Sequence, residues 1–338
     1  MFVIGIDPHR GSHTAAVLDD TEEVLDELRV VADRRQRDRL LEWAASFTPR
    51  TWAIEGATGT GALLAQQLVA AGERVVDVPP TLSARVRLLD SGRSDKTDSH
   101  DARSAAVVAL RHTSLRPVRG EDHVAVLRLL AKRHHDLIAA RTRAVCRLHT
   151  TLCHLAEGHF PKRMTARQGA AIVARIRPAD PVSVERKALA RDLLAEIRRL
   201  DRDLVELGER INTAVAASGS TVTDIVGVGP IVAAYLIGHT GDIARFPTAG
   251  HYARYNGTAP IEASSGQVKR HRLNPRGNRQ LNHALHMTAV TQVRYETAGR
   301  GYYLAKQAAG KSRKEAMRAL KRRISDAVYR QLAADTGR

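Results

Sequence analysis

Four acidic side chains occur where carboxylates from separate elements of the chain can meet. Asp7 follows a short apolar run at the start of the sequence, and Glu55 follows a second run rich in β-forming residues. Both runs are typical of buried strands, so both carboxylates are expected at strand ends. Asp98 and Asp101 are spaced i, i+3, which places them on one face of a helix. Strand ends and a helix face together can bring all four groups to one point.

Carboxylates that crowd together repel one another unless a cation neutralises them. Hard oxygen ligands suit Mg²⁺ or Mn²⁺, and two such ions can hold a phosphodiester during its cleavage. The sequence therefore predicts a divalent-metal site at Asp7, Glu55, Asp98 and Asp101. Each carboxylate alone also fits a structural role at a strand end or a helix cap. Their order and joint placement favour the metal site.

The first 80 residues alternate between strand and helix patterns. Three strands follow one another and are succeeded by helix, strand, helix and strand, which is the order of the mixed sheet in an RNase H-like fold. Such a fold does not by itself specify an activity, but here the first and fourth strands carry two of the acids. The strands are predicted at residues 2–6, 14–18, 24–31, 51–55 and 74–78, and the helices at 35–45 and 59–71.

Charge is unevenly distributed along the 338 residues. Lys and Arg number 53 against 36 Asp and Glu, a formal charge of +17. Residues 1–100 hold 12 basic and 16 acidic side chains, whereas residues 216–338 hold 19 basic and 7 acidic ones. A generally Arg-rich composition would explain Arg in place of Lys, but not this excess over acids. An acidic N-terminal part followed by a basic remainder of the chain favours nucleic acid as the binding partner.

Cysteine content and hydropathy indicate the cellular compartment in which the protein is expected. The chain has two cysteines, Cys146 and Cys153, which form neither a disulfide framework nor a zinc-type spacing. A reducing cytoplasm is expected, with both cysteines packed as small apolar residues. No signal peptide is expected, because Asp7 interrupts the first apolar run. No apolar stretch is long enough for a membrane span.

Two long helical patterns occupy the middle of the chain. The first runs over residues 123–156, and a Pro-punctuated connector is expected at 160–181. The second pattern has a heptad seam that suits a coiled-coil contact. This seam can pack on the 123–156 helix of the same chain, on another chain, or on both. Its residues are Leu193, Ile197, Leu200, Leu204, Leu207 and Ile211.

Two short motifs in the C-terminal third can contact nucleic acid. Gly227 and Gly229 precede an apolar helix, as in a helix-hairpin-helix-like element whose backbone N–H groups bind phosphate; a simple turn is the competing interpretation. Further on, Ser264 and Ser265 precede Gly266 in a loop that also fits an ordinary turn. A serine there could act as a nucleophile if nearby cations neutralise a phosphate. The basic residues that follow the serines are Lys269, Arg270, Arg272, Arg276 and Arg279.

Nearly the whole chain resembles the DEDD transposases of the one-ten insertion-sequence family. The run Asp-Lys-Thr-Asp-Ser-His-Asp-Ala-Arg at residues 95–103 is the most specific mark of this resemblance. The other marks are Ile4-Gly5-Ile6-Asp7, Glu55-Gly56, Gly227-Val228-Gly229-Pro230 and Ser264-Ser265-Gly266.

The resemblance implies three domains. Residues 1–120 would form an RNase H-like domain of the RuvC type, in which the family's Asp-Glu-Asp-Asp tetrad corresponds to the four acids and binds Mg²⁺ or Mn²⁺. Residues 121–217 would form long helices and a coiled-coil connector. Residues 218–338 would form a mainly α-helical transposase domain. Gln267 departs from the glycine that relatives often have there, and the segment 160–190 is longer than usual.

The resemblance also implies an activity. A structured noncoding bridge RNA would pair with donor and target DNA, and a serine would attack a phosphate to leave a covalent phosphoserine. Ser265 is favoured over Ser264, because it directly precedes Gly266. The protein would work as a homo-oligomer, from dimer to tetramer, in the bacterial cytoplasm and at the nucleoid when active.

Two other functions remain open at the level of sequence. One is a metal-dependent junction endonuclease that uses water and no serine, and the other is a non-catalytic nucleic-acid-binding protein. A tyrosine recombinase is disfavoured, because no Arg-His-x-x-Arg pattern accompanies Tyr302 and Tyr303, which are expected to be packing residues.

Overall fold

The protein divides into two compact units, Met1–Glu121 and Asp122–Arg338. The structure is a computed structural model that describes residues 1–91, 97–112, 114–161, 163–262, 271–272, 274 and 276–336. Within these residues no helix is both long and apolar enough to cross a membrane.

A six-stranded mixed sheet forms the centre of the first unit. β1 lies in the middle, antiparallel to β2 and parallel to β4, and the order across the sheet is β3-β2-β1-β4-β5-β6. The five predicted strands are therefore present in the order of an RNase H-like fold, and this prediction is confirmed. The strands are β1 (Phe2–Pro8), β2 (Ser12–Leu18), β3 (Val24–Val31), β4 (Arg50–Glu55), β5 (Val75–Val78) and the short, unpredicted β6 (Arg116–Pro117).

Helices cover both faces of this sheet, which explains why β1 is a continuous apolar run rather than an alternating one. Ile4 and Ile6 pack on one face with the core that includes α1 and α2. Val3 packs on the other face with α4, which crosses β1, β2 and β4. The helices are α1 (Gln36–Trp43), α2 (Ala62–Ala70), α3 (Pro80–Ser91) and α4 (Asp98–Arg111).

The second unit is mainly α-helical, as expected, and its helices share one hydrophobic core. That core joins the predicted middle and C-terminal domains, so the expected division at residue 217 stays a prediction. A two-stranded sheet of β7 (Ile261–Glu262) and β8 (His271–Arg272) completes the unit. The helices are α5 (His123–Cys153), α6 (Ala166–Arg175), α7 (Pro181–Ala217), α8 (Pro230–Thr240), α9 (Ala249–Tyr255), α10 (Arg279–Arg294), α11 (Ala298–Ala308) and α12 (Arg313–Asp335).

The heptad seam of α7 is used inside the chain. α7 packs along α5, and four seam residues are buried while Leu193 and Leu204 pack half-buried against the same core. The intramolecular alternative is therefore the one the structure contains. Because the seam is used within the chain, it gives no support for an oligomer, and the oligomeric state stays a prediction.

Two expectations about the middle of the chain are wrong. The segment 160–181 is more than a connector, because it contains α6, whose first turn is closed by a capping box between Thr165 and Gln168. Cys146 and Cys153 are exposed rather than packed. They are seven residues apart and share the solvent face of α5, next to the buried positions Val145 and Leu152. Tyr303, in contrast, is buried as expected.

Candidate metal centre and nucleic-acid interface

Two of the four predicted acids lie on neighbouring parallel strands. The register of β1 and β4 pairs Ile6 with Ile54. Asp7 and Glu55 are the next residues on each strand, so they stand at the same edge of the sheet. Asp7 is buried, and the Oε2 atom of Glu55 is buried without a hydrogen-bond partner among the described residues.

The other two acids lie in the first turn of α4. Thr97 begins this helix, since its side chain accepts a hydrogen bond from the His100 N–H. α4 can approach β1 very closely because residue 5 is glycine. A Cβ atom there would lie 1.9 Å from the carbonyl oxygen of Ala102. This close packing carries the N-terminal turn of α4 toward the end of β1 that bears Asp7.

Asp7, His9 and Asp98 form a close group of possible metal ligands in the described part of the chain. One ligand atom from each of the three lies within 4.8 Å of the other two. His9 Nδ1 is 3.4 Å from Asp7 Oδ2, and the His9 ring is half exposed. We call these three residues the ligand cluster.

Arginines neutralise part of this acidic edge. Asp101 is buried and forms an ion pair with Arg87 of α3. Asp98 is 3.8 Å from Arg29 of β3 and is more exposed. The structure thus brings Asp7 and Asp98 together, keeps Glu55 on the adjacent strand and holds Asp101 against Arg87.

The ligand cluster and Glu55 suit a divalent cation. Two carboxylates and an imidazole are oxygen and nitrogen donors of the kind that bind Mg²⁺ or Mn²⁺. A buried carboxylate oxygen without a donor, such as Oε2 of Glu55, is costly unless a cation or a donor satisfies it. His9 was missed in the sequence because it lies in a turn. Its position two residues after Asp7 is the one signal that could have indicated it.

The predicted serine loop lies mostly outside the described residues, which exclude Ser264, Ser265, Lys269 and Arg270. Arg272 belongs to β8, whose register pairs it with Ile261 of β7. Arg276 and Arg279 are exposed. Arg279 opens α10, which is capped by the Asn278 side chain.

The predicted helix-hairpin-helix-like element has a packing role for its first glycine. Gly227 has a φ of +87°, and a Cβ atom there would lie 3.0 Å from the carbonyl oxygen of Thr288 in α10. Gly229 is the N-cap of α8 and has open space around it. Close packing on α10 accounts for Gly227, so phosphate binding at the two glycines stays a prediction.

Family models match both ends of the chain. Residues 4–156 match the model of the DEDD transposases of IS110, described as "Transposase". Residues 219–304 match the model described as "Transposase IS116/IS110/IS902 family". The chain belongs to the IS110 family of DEDD transposases. It is therefore an enzyme that acts on DNA, and the acidic signature of the family indicates dependence on a divalent metal.

Full-length relatives of this transposase come from other insertion elements. The chain is 29% identical to the "Insertion element IS116 uncharacterized 44.8 kDa protein" of Streptomyces clavuligerus, over 97% of this chain and 94% of the relative. It is 28% identical to the "Insertion element IS900 uncharacterized 42 kDa protein" of Mycobacterium paratuberculosis, with the same coverage of each.

Among solved structures, Thermus thermophilus RuvC in complex with a Holliday junction substrate matches 35% of the transposase and 99% of its own chain. The sequence identity is 18% and the TM-score is 0.28.

Proposed function

We propose that the first unit is the metal-dependent DNA-cutting module of this transposase. Asp7, Glu55, Asp98 and Asp101 would form its acidic centre, and His9 would add an imidazole ligand. The observation that carries the proposal is the ligand cluster, in which donor atoms from a strand, a turn and a helix lie within 4.8 Å of one another. Asp98 is about 90 residues away from Asp7 and His9 along the chain, so this grouping depends on how α4 packs against β1.

When bound at this centre, a divalent cation supplies positive charge that stabilises the charge developing on a phosphate. The residues of the chain contribute fixed positions. Asp7 is held by the central strand, and Asp98 by the first turn of α4, whose later residues Ala102 and Ala106 pack over Gly5. Arg87 neutralises Asp101, which limits repulsion among the carboxylates before the metal arrives.

A covalent link between Ser265 and the DNA would store the energy of the broken phosphodiester bond. That energy would then be available to form the new bond during strand exchange. The Ser265 Oγ would form a bond to phosphorus, and the bond from phosphorus to a deoxyribose oxygen would break. The serine proton would leave, and the released deoxyribose oxygen would take up a proton. Support comes from the family membership and from the basic residues that follow the serine in the sequence.

A metal-dependent nuclease that uses water is the second candidate function. The acidic centre favours it, because such a centre is sufficient for phosphodiester cleavage. The two candidates differ in whether protein becomes linked to DNA.

Guidance by a bridge RNA completes the proposal. It is supported by the resemblance and by the excess of basic residues after residue 100, which suits two nucleic acids at once. The direct test is to purify the protein under native conditions and sequence the RNA that co-purifies. Enrichment of one structured RNA encoded beside the transposase gene is expected, and only random RNA fragments would contradict guidance.

The metal centre is tested by Asp7→Asn, with Asp20→Asn as an exposed control on the same unit. Asp7→Asn should abolish cleavage of DNA that carries the element ends, while DNA binding and folding persist. Asp20→Asn should cut as wild type does. Excess EDTA should stop wild-type cleavage, and added Mg²⁺ or Mn²⁺ should restore it. Full cleavage by Asp7→Asn, or in excess EDTA, would contradict the proposed centre.

A further inference from the structure

We propose that a basic cleft in the second unit binds a phosphodiester of the DNA strand that is presented to the serine loop. This inference rests on the proposed function and deepens it. The cleft has a volume of about 600 Å³, which is within the range of ligand sites and sufficient for a nucleotide. We call it the Arg254 cleft, and it is lined by Thr248, Gly250, His251, Arg254, Ala259, Pro260, Ile261 and Arg322.

The charge of the Arg254 cleft suits an anion. Arg254 and Arg322 line it together with His251, and no acidic residue is among its described lining. Arg254 is exposed near the end of α9, and its guanidinium has no ion pair with any residue that the structure describes. An arginine left without an acidic partner beside a cavity is available to a phosphate.

Arg322 is held in a defined orientation. Its Nε is 3.2 Å from Asp326 Oδ2, and one terminal nitrogen is 3.1 Å from Asp326 Oδ1, so the carboxylate binds one edge of the guanidinium. A guanidinium has five N–H donors in a planar fork. The edge bound by Asp326 leaves other donors for a ligand. About a third of the Arg322 side chain remains exposed.

The two walls of the cleft are fixed to each other. Asn256, at the end of α9, donates a hydrogen bond to Ser325 Oγ of α12 at 2.7 Å, and both residues are fully buried. The same Asn256 accepts hydrogen bonds from the backbone N–H and hydroxyl of Thr258. The chain that leads to Pro260 and Ile261 is thereby tied to the helix that carries Arg322. A site of this kind requires little reorganisation when it binds.

Part of the cleft lining lies four to six residues before Ser265 in the sequence, which supports this choice of strand. Its residues Ala259–Ile261 directly precede the loop that contains Ser265. A phosphate held by Arg254 and Arg322 would belong to a nucleotide close to the bond that the serine attacks. Guide RNA and free inorganic phosphate also carry the phosphate group that the cleft would bind. The experiment below therefore compares both with DNA.

The test measures how binding of a labelled single-stranded DNA 20-mer depends on salt for the full-length protein. Arg254→Gln should weaken binding several-fold and lower the slope of log K against log salt by about 0.7, the value for one phosphate contact to a single strand. The double variant Arg254→Gln/Arg322→Gln should lower the slope by about 1.4. The control is Arg330→Gln, an exposed arginine of α12 outside the cleft, which should leave the slope unchanged.

Other outcomes overturn the inference. One such outcome is that the Arg254 and Arg322 variants have the same salt-dependence slope as Arg330→Gln. That result would show that the cleft makes no phosphate contact of its own and that DNA binds a generally basic surface. Weakened binding of an RNA 20-mer with unchanged DNA binding would assign the cleft to RNA, and competition by millimolar inorganic phosphate alone would assign it to a free anion. Circular dichroism verifies that each variant folds.

The same proteins separate failure of the cleft from failure of the proposed chemistry. If wild type forms no covalent adduct with DNA but Arg254→Gln lowers the slope, the cleft stands and the serine mechanism fails. If the adduct forms and the slope is unchanged, the cleft fails and the serine mechanism stands.

Discussion

Gly5 of β1 lies directly against the backbone of Ala102 in α4, so that a Cβ atom on Gly5 would stand 1.9 Å from the Ala102 carbonyl oxygen. Backbone atoms cannot yield at that distance as a flexible side chain would. Asp7 follows two residues after Gly5, and Asp98 and Asp101 come four residues and one residue before Ala102. This close approach of α4 to β1 helps to bring the acids of the helix near the acid of the strand.

Gly5→Ala is expected to push α4 away from β1. We expect the free energy of unfolding of the first unit to fall by about 1–3 kcal/mol, because the site is buried and overpacked, and metal binding to weaken. Urea unfolding followed by tryptophan fluorescence measures this. Both tryptophans of the chain, Trp43 and Trp52, lie in the first unit, so the signal reports that unit alone.

Gly11→Ala is the matched control for this substitution. A Cβ atom on Gly11 would meet no atom within 4 Å, so its effect should stay below about 1 kcal/mol. Equal stability of the Gly5→Ala and Gly11→Ala variants would show that α4 adapts to the added methyl group.

His9→Gln tests whether the imidazole belongs to the metal centre. Removing one of three close donors should weaken Mn²⁺ binding about tenfold or more, as measured by electron paramagnetic resonance of free Mn²⁺. His100→Gln is the control, since His100 is exposed on the first turn of α4 and lies outside the ligand cluster. Unchanged Mn²⁺ affinity in His9→Gln would show that His9 is not a ligand and that the carboxylates bind the metal without it.

The strands and the two strand-end acids could be predicted because their signals are local. Apolar runs fixed the positions of β1 and β4, and Asp7 and Glu55 follow those runs directly. The parallel register of β1 and β4 then places the two acids at one edge. Local patterns of this kind are therefore sufficient to predict a strand order that is shared across a fold.

The remaining parts of the site depend on tertiary contacts that no local pattern encodes. Arg87 was not predicted, because its ion pair with Asp101 exists only when α3 packs beside α4. His9 lies in a turn, where a histidine is ordinarily a surface residue. The Arg254 cleft joins residues of α9 and α12, which are separated by more than 60 positions along the chain.

The Arg50–Glu73 pair predicts a pH dependence of stability in the first unit. Burial alone would raise the Glu73 pKa, but hydrogen bonds from Arg50 and Trp52 outweigh it and hold the pKa below the ordinary value of 4.5. A carboxylate whose folded pKa is lowered stabilises the fold above its unfolded pKa. That contribution is lost as pH falls through the folded pKa.

Glu73→Gln should therefore destabilise the first unit near neutral pH, by about 1.5–3 kcal/mol, because Arg50 loses the charged acceptor of its hydrogen bonds. The loss of stability of wild type below about pH 4.5 should be smaller in this variant. Tryptophan fluorescence during urea unfolding at several pH values measures both effects. Glu42→Gln, at an exposed position of α1, should change stability by less than about 0.5 kcal/mol. Parallel pH profiles for wild type and Glu73→Gln would contradict the role of the pair.

Ser265 distinguishes a recombinase with a covalent intermediate from a nuclease that uses water. Ser265→Ala removes the proposed nucleophile and leaves the neighbouring Ser264 in place as an internal control. We expect no protein–DNA adduct on a denaturing gel and no recombinant product from this variant. Wild type trapped on a nicked substrate should give an adduct that mass spectrometry assigns to the peptide containing Ser265.

The pattern across variants decides between the mechanisms, because each predicts a different set of products. Ser264→Ala should form the adduct at the wild-type level if Ser265 is the nucleophile. An inactive Ser264→Ala with an active Ser265→Ala would keep the covalent mechanism and move the nucleophile by one residue. Normal cutting by the double variant would falsify serine chemistry and leave the acidic centre of the first unit to activate water. Asp7→Asn should be inactive under either mechanism, since both require the metal, so it verifies that the assay reports the acidic centre.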